Sequence, residues 1–256
     1  MYVRTWSLKE TNLLIKCDEE RGIDAAIEAS LRARYEIEQF IRLHPEFRWS
    51  LESLKLNGPH QRIINLMLRA GELAEVGPFA AVAGAISQVA AEAALNASAE
   101  NVAVENGGDI AIMGNQDFRV GVFAGDVKGS GKIGFLIRAK ELPIGICTSS
   151  GTIGHSISFG EADAVTAIAR EASVADAAAT SIANAVKGED VESSVTFGLN
   201  RAKQIPEIFG CLIVRGDQIG AWGKLPELIQ LSPKSQELSA ISKRYKNYGL
   251  ELTPVL

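Results

Sequence analysis

The most constraining stretch of the chain is residues 102–112, Val-Ala-Val-Glu-Asn-Gly-Gly-Asp-Ile-Ala-Ile. Two short runs rich in β-branched residues flank Asn106-Gly107-Gly108-Asp109. An Asn-Gly pair between such runs marks a two-residue hairpin turn, because glycine takes positive φ without steric cost. The spacing predicts antiparallel pairing here. The same glycines would also let a ligand approach the backbone; on spacing alone the hairpin is the favoured reading.

The surrounding pattern gives an α+β protein. Residues 2–17 read as a hairpin around Lys9-Glu10-Thr11-Asn12. Apolar residues at Ile23, Ile27, Leu31, Ile37, Phe40 and Ile41 predict a helix over 24–43, ended by His44-Pro45. Residues 60–74 read as a second amphipathic helix. Residues 78–95 read as a third, built of small residues, with Gln88 and Glu92 marking its polar edge. That last segment is apolar enough to need a membrane check, but its alanine content and the polar Ser87, Gln88 and Glu92 favour a buried core helix. Strands follow at 102–104, 110–112, 118–123, 133–137, 144–147 and 162–169. A helix over 173–186 ends in Lys187-Gly188, residues 192–204 read as helical, and 211–215 with 218–222 form a hairpin around Gly216-Asp217. The expected architecture is antiparallel strands packed against the helices at 78–95 and 173–187. Residues from 224 onward carry no assignable pattern.

Bulk properties narrow the function. The 256 residues carry a net charge of −5, which argues against nucleic acid and against an anionic membrane surface. Three cysteines, 17, 147 and 211, contain no Cys-x-x-Cys pair, so neither a disulfide framework nor a zinc knuckle is indicated. The N-terminus lacks the apolar core of a signal peptide. A reducing, cytoplasmic setting is the expectation. A homodimer is expected too, without residue-level support.

Two further stretches could carry chemistry. Residues 148–155, Thr-Ser-Ser-Gly-Thr-Ile-Gly-His, follow a strand directly, and exposed amides in such a loop can cradle an anion. The loop has no Gly-Lys-Ser/Thr and no Gly-x-Ser-x-Gly, so neither a P-loop nor a nucleophile elbow is supported. A Ser/His hydrolase drawn from Ser149 or Ser150 with His155 would need an orienting carboxylate that nothing singles out, and His155 reads equally well as a structural histidine. In residues 173–180, Asp176 and Thr180 share a helix face, and a carboxylate with a hydroxyl suits Mg²⁺. Ser173 as N-cap with Asp176 at the third position would explain the same residues as a capping arrangement, the reading that sequence physics prefers.

Taken together, these residues resemble the ApbE superfamily of FAD-dependent flavin transferases. That family shows an Asn-x-Gly-Gly-Asp-Ile-type turn, a Thr-Ser-Gly loop leading to a histidine, and Ala-Asp-Ala-x-x-Thr on a helix. Here these are Glu105 to Ile110, Thr148-Ser149-Ser150-Gly151 with His155, and Ala175-Asp176-Ala177-Ala178-Ala179-Thr180. The chain is more similar still to a soluble side branch of ApbE-like proteins, through Lys-Glu-Thr-Asn-Leu at 9–13, Gly-Pro-Phe-Ala-Ala-Val-Ala-Gly at 77–84 and Val-Glu-Asn-Gly-Gly-Asp-Ile at 104–110.

The resemblance implies a T-fold-like α+β fold. It also implies a single domain over 1–256, matched best at 77–187, with 1–60 and 224–256 as elaborations. It implies a pocket for FAD at Gly107, Gly108, Asp109, Thr148, Ser149, Ser150, Gly151 and His155, with Mg²⁺ at Asp176 and Thr180. It further implies transfer of FMN to a threonine of a partner protein, the ion neutralising charge on the pyrophosphate. His155 is the catalytic candidate.

There are departures. Transferases carry an Ala-Lys-Gly-x-Ala-x-Asp-like segment; residues 82–88 keep the glycine but have neither the lysine nor the carboxylate. Transferases follow the histidine with an Ile-x-Asp-Pro-type run, whereas Ser156-Ile157-Ser158-Phe159 stands here. Losing a phosphate-site lysine would cost orders of magnitude in rate while leaving binding measurable. Two alternatives to transfer follow. One is a non-catalytic binding or assembly protein that kept the fold, and the other an enzyme acting on a different phosphorylated or carboxylated substrate.

Overall fold

Alternation along the strands decides the layering of this protein. The structure, a computed structural model, describes residues 1–122, 133–149, 160–230 and the backbone of 252–253. In order come β1 (Tyr2–Leu8), β2 (Thr11–Cys17), α1 (Glu20–Leu43), α2 (Glu46–Trp49), α3 (Arg62–Ala74), a 3₁₀ turn (Pro78–Ala81) and α4 (Val82–Asn96). There follow β3 (Val102–Asn106), β4 (Asp109–Met113), β5 (Phe118–Val122), β6 (Ile133–Ile137), β7 (Ile144–Ser149), β8 (Ala164–Ala169), α5 (Ala172–Ala185) and α6 (Val191–Ala202). The chain closes with β9 (Ile208–Arg215), β10 (Gln218–Gly223), β11 (Glu227–Gln230) and β12 (Leu252–Thr253).

Eight strands form one antiparallel sheet in the order β1-β2-β3-β4-β7-β8-β9-β10, and four form a second in the order β11-β6-β5-β12. Side chains alternate across a strand, so each central strand feeds two cores. Val102, Val104, Ala111, Cys147, Val165 and Ala167 join the core under the helices. Ala103, Ile110, Ile112, Ile146 and Ile168 join a second core with Phe118, Val120, Phe135 and Ile137 of the small sheet. The result is three layers: helices, large sheet, small sheet. Strands buried on both faces read as continuous apolar runs, which is why 102–112 lacks polar alternation.

The α+β expectation holds, with shifts at the boundaries. Helix α1 begins at Glu20, and its buried stripe is Ile23, Ala26, Ser30, Ala33, Ile37 and Phe40, while Leu31 stays exposed. Small residues occupy the middle of that stripe because α1 packs directly on α4. The apolar segment Pro78–Asn96 is, among the described residues, the one stretch long and apolar enough to cross a membrane. Here it packs on β3 and β4 between α1 and α5. Gln88 is not at a solvent edge as expected but buried. The strand expected over 162–169 begins at Ala164, and β11 lies in the region that sequence pattern left unassigned.

Helix α5 sits at the centre of the helical layer, with 12 of its 14 residues buried against β7, β8, α3, α4 and α6. A helix enclosed on all sides has no polar stripe, and small side chains are what let so many neighbours approach. Its first turn is wedged between two glycines. A Cβ at Gly145 of β7 would lie 2.4 Å from Ala172 Cα, and one at Gly84 of α4 would lie 2.3 Å from the Ala172 carbonyl oxygen. We predict that Gly145→Ala destabilises the protein by about 2 kcal/mol or more, since backbone must move to admit the methyl group. Urea denaturation checks this, and an unchanged midpoint would show that α5 can withdraw from β7 freely.

Candidate functional site

The 106–109 turn is a hairpin, with Asn106 paired to Asp109. Gly107 and Gly108 have φ of 64° and 107°, the two positive values that a mirror-image two-residue turn requires. Asn106 ties the turn to its surroundings: its Oδ1 accepts the Asn12 amide at 3.2 Å and its Nδ2 donates to the Ala83 carbonyl at 3.3 Å. Ser87 Oγ of α4 donates to the Asp109 carbonyl at 2.8 Å. The turn therefore sits at the N-terminal end of α4, with the Asp109 side chain on the helix-facing side of the sheet.

Helix α5 starts at Ala172, earlier than the sequence suggested, with Glu171 in the N-cap position and no side-chain cap bond. Ser173 is therefore not the cap. Its hydroxyl and amide both donate to Gln88 Oε1, at 3.1 and 3.3 Å. Asp176, now a full turn into the helix, does not serve its own helix's N-terminus. Its Oδ2 accepts the Gly84 amide at 2.8 Å, and Gly84 is the third residue of α4. One helix thus supplies the N-terminal cap of another, and α4, whose own N-cap Ala81 has no side-chain acceptor, gains a carboxylate at its positive end.

This bond places buried carboxylates together. Burial pushes the Asp176 carboxyl up to about 7, against the pull of the Gly84 and Ala83 amides. Burial pushes Asp109 well above the usual carboxylate range, and the charge of Asp176 adds to it; the Cys147 thiol and the Thr148 amide pull the other way. Cys147, opposite Asp109 on β7, has its own thiol pushed well up by burial and by both carboxylates. Its Sγ donates to the Ala172 carbonyl at 3.2 Å. No lysine or arginine among the described residues pairs with Asp109 or Asp176.

Strand β7 runs on through Ser149, so the two hydroxyls of Thr148-Ser149 point to opposite faces. Thr148 Oγ1 lies 2.9 Å from Thr166 Oγ1 on the small-sheet side. Ser149 falls on the same face as Cys147 and Asp109; it is 5% exposed, and among the described residues its Oγ has no hydrogen-bond partner. A buried hydroxyl left unpaired is costly, of order 1–3 kcal/mol, and calls for an explanation. Thr180 lies one turn beyond Asp176 and is also buried. Ser150, Gly151 and His155 lie outside the described residues. Of the residues singled out from sequence, the fold thus gathers Asp109 and Asp176 with Ser149 on the facing sheet surface, and turns the Thr148 side chain away.

Sequence reasoning missed Gly84 and Cys147 as parts of this cluster, read Ser173 as the N-cap of α5 where it bonds Gln88, and placed Gln88 at a polar edge. Four-residue spacing shows which residues share a helix face but not which neighbour that face meets. A separate open depression of about 390 Å³, lined by His60, Arg62, Asn65, Leu66, Arg69 and Glu171, lies along α3. Its arginines are already paired, Arg62 with Glu92 and Arg69 with Glu171 and Glu207. A chain of hydrogen bonds, Ser173–Gln88–Glu92–Arg62, runs from it to the first turn of α5.

Comparison with known proteins bears on the family and the fold. A family model described as AbpE bacteria matches residues 4–200. A UPF0280 protein of Methanocaldococcus jannaschii is 42% identical over 225 residues, 87% of this chain and 91% of that one. A UPF0280 protein of Methanothermobacter thermautotrophicus is 45% identical over 207 residues, 80% of each chain. Among solved structures, the flavin transferase ApbE of Vibrio cholerae is similar with a TM-score of 0.53 at 12% identity, covering 87% of this chain and 96% of that one. The apo flavinyl transferase ApbE of Pseudomonas stutzeri is similar with a TM-score of 0.55 at 10% identity, covering 87% and 94%. At such identities the likeness is one of fold.

The buried acid makes stability depend on pH. In the unfolded chain an aspartate releases its proton at about pH 4, whereas Asp176 in the fold holds it to about 7. Between those values the native state binds more protons than the unfolded one, so stability falls as pH rises through this window and levels off above it. Asp109 acts in the same direction. Asp176→Asn keeps an acceptor for the Gly84 amide and removes one titration. Its urea midpoint should therefore fall less steeply over this range than that of the parent, and at about pH 8 the variant should be the more stable. An unchanged slope would assign the pH dependence to other groups.

Proposed function

We propose that this chain, which belongs to the AbpE bacteria family, binds a flavin nucleotide together with Mg²⁺ at the Asp109–Asp176 cluster. The observation that carries this reading is the pair of buried carboxylates, each raised by burial, with no cationic partner among the described residues, and a buried hydroxyl on the facing sheet surface, Ser149, that is unpaired among those residues. Such a set fits a hard cation: oxygen donors in a dry site, whose repulsion an ion would relieve. Asp176 and Thr180 are the residues that would hold it, Asp176 using the oxygen not engaged by Gly84. The ion, when bound, supplies neutralisation of charge on a pyrophosphate.

The chain's own residues do the rest. Gly107 and Gly108 keep the turn low enough for a ligand to lie against main chain, Ser149 offers its hydroxyl, and Thr148 contributes through its backbone. Ser150, Gly151 and His155 complete the pocket in this reading. The three cysteines are free and buried, in keeping with a reducing compartment, and we place the protein in the cytoplasm.

A second reading, binding without group transfer, is favoured by what the structure does with residues 83 and 88. Ala83 has no polar side chain and its amide is drawn to Asp176, while the Gln88 side-chain nitrogen donates to Glu92 and its oxygen accepts from Ser173, so neither position offers a free donor to a phosphate. In that reading FAD stays intact with the protein and Mg²⁺, and release of AMP would overturn it. For binding itself, a thermal-shift titration with FAD, FMN and AMP, each with and without Mg²⁺, is decisive. The melting temperature should rise only when FAD and Mg²⁺ are both present, and Asp176→Asn should abolish the rise while the ligand-free protein remains folded. No rise with any flavin would overturn the proposal.

A further inference from the structure

Glu105 is a buried acid that the cation site does not use. It lies on β3 between Leu14 of β2 and Ile110 of β4, on the sheet face turned towards the small sheet, away from Asp109 and Asp176. It is 8% exposed, and its Oε1 accepts the Gly108 amide at 3.0 Å. A carboxyl buried among apolar side chains is expensive to keep. Among the described residues its hydrogen-bond partner is the amide of Gly108, a residue with little conformational preference of its own. Gly107 and Gly108 together would otherwise sample a wide range of backbone angles.

We infer that Glu105 is a positioning residue: by clamping the Gly108 amide from the far face of the sheet, its carboxylate holds the Gly107-Gly108 turn in the one conformation that presents its remaining main-chain groups to the ligand. This rests on the reading that the turn lines the flavin site. The clamp commits the Gly108 N–H, so a phosphate at this turn is met by the other groups of the cluster. A carboxylate accepts an amide hydrogen bond more strongly than a neutral carboxyl, so the clamp slackens when Glu105 takes up a proton. Burial pushes that carboxyl up to about 7, with the Gly108 amide opposing. The charged groups on the elements around it are Lys16 of β2, on the same face beside Ala103, and Asp109 of β4, on the opposite face. Among the described residues, the small sheet contributes Phe118, Val120, Phe135 and Ile137 to this core.

The test reads the turn and the ligand separately. The first readout is the protection factor of the Gly108 amide against hydrogen exchange, measured by NMR on the ligand-free protein from about pH 6 to 8, corrected for the intrinsic rate. In the parent it should fall as pH is lowered through about 7. In Glu105→Gln, which keeps an acceptor of the same shape, it should not change with pH. In Glu105→Ala it should be low throughout. The second readout is the affinity for FAD with Mg²⁺ at pH 8. Glu105→Ala should weaken it about tenfold and Glu105→Gln by less than about threefold, the range expected for one charge-assisted hydrogen bond. Undiminished Gly108 protection in Glu105→Ala would overturn the clamp. Lost protection with parental FAD affinity would overturn its role in positioning. Lost protection in a protein whose parent binds no FAD would fail the flavin reading while establishing the clamp.

Discussion

The first turn of α5 is pressed so closely against its neighbours that only hydrogen fits opposite it. Gly145 of β7 and Gly84 of α4 face Ala172 from two sides, and neither could carry a methyl group without moving backbone. Close packing of this kind is stiff, because an added methylene must be absorbed by shifting whole elements. It fixes the height of α5 above the sheet and its distance from α4. Much else in the helical layer follows from it, including the burial of the Cys147 thiol under the Ala172 carbonyl and the approach of Asp176 to the end of α4.

That approach turns a packing constraint into an electrostatic one. Asp176 caps a helix it does not belong to, and the cap draws it into the same dry space as Asp109. Each carboxylate raises the cost of ionising the other. The amides of Gly84 and Thr148 compensate only in part. The arrangement is locally unfavourable, because two carboxyl groups share a buried space with no cationic partner among the described residues. Ser149, buried on the sheet surface facing the helices and unpaired among the described residues, belongs to the same imbalance.

The sheet separates two tasks through its alternation. One face of β3, β4 and β7 carries Asn106, Asp109, Cys147 and Ser149 towards the helices; the other carries Glu105, Ile110, Ile146 and Thr148 towards the small sheet. Neighbouring residues in a motif, such as Glu105 with Asn106 or Thr148 with Ser149, therefore act in different layers. A motif written as a string of letters conceals that division, since a one-residue step along a strand reverses the face.

Much was legible before any coordinates. The turn at Gly107-Gly108, the alternation of strands and the small-residue helices are local consequences of chain chemistry: positive φ needs glycine, apolar periodicity needs a covered face, and proline ends or begins a helix. Three motif stretches sufficed to point to the family that the comparisons show. What the chain alone could not decide was which local alternative would win. Capping of its own helix and cation binding at Asp176 were both consistent with its spacing from Ser173 and Thr180, and that it accepts an amide of α4 instead of capping α5 depended on Gly84, some ninety residues earlier in the chain, being brought into reach. Gln88 read as surface because a polar residue on a helix is solvated unless a partner such as Ser173 arrives from another element. Propensity and periodicity act over a few residues, whereas hydrogen-bond partners and burial are set by which elements the fold brings together, and only the tertiary structure decides that.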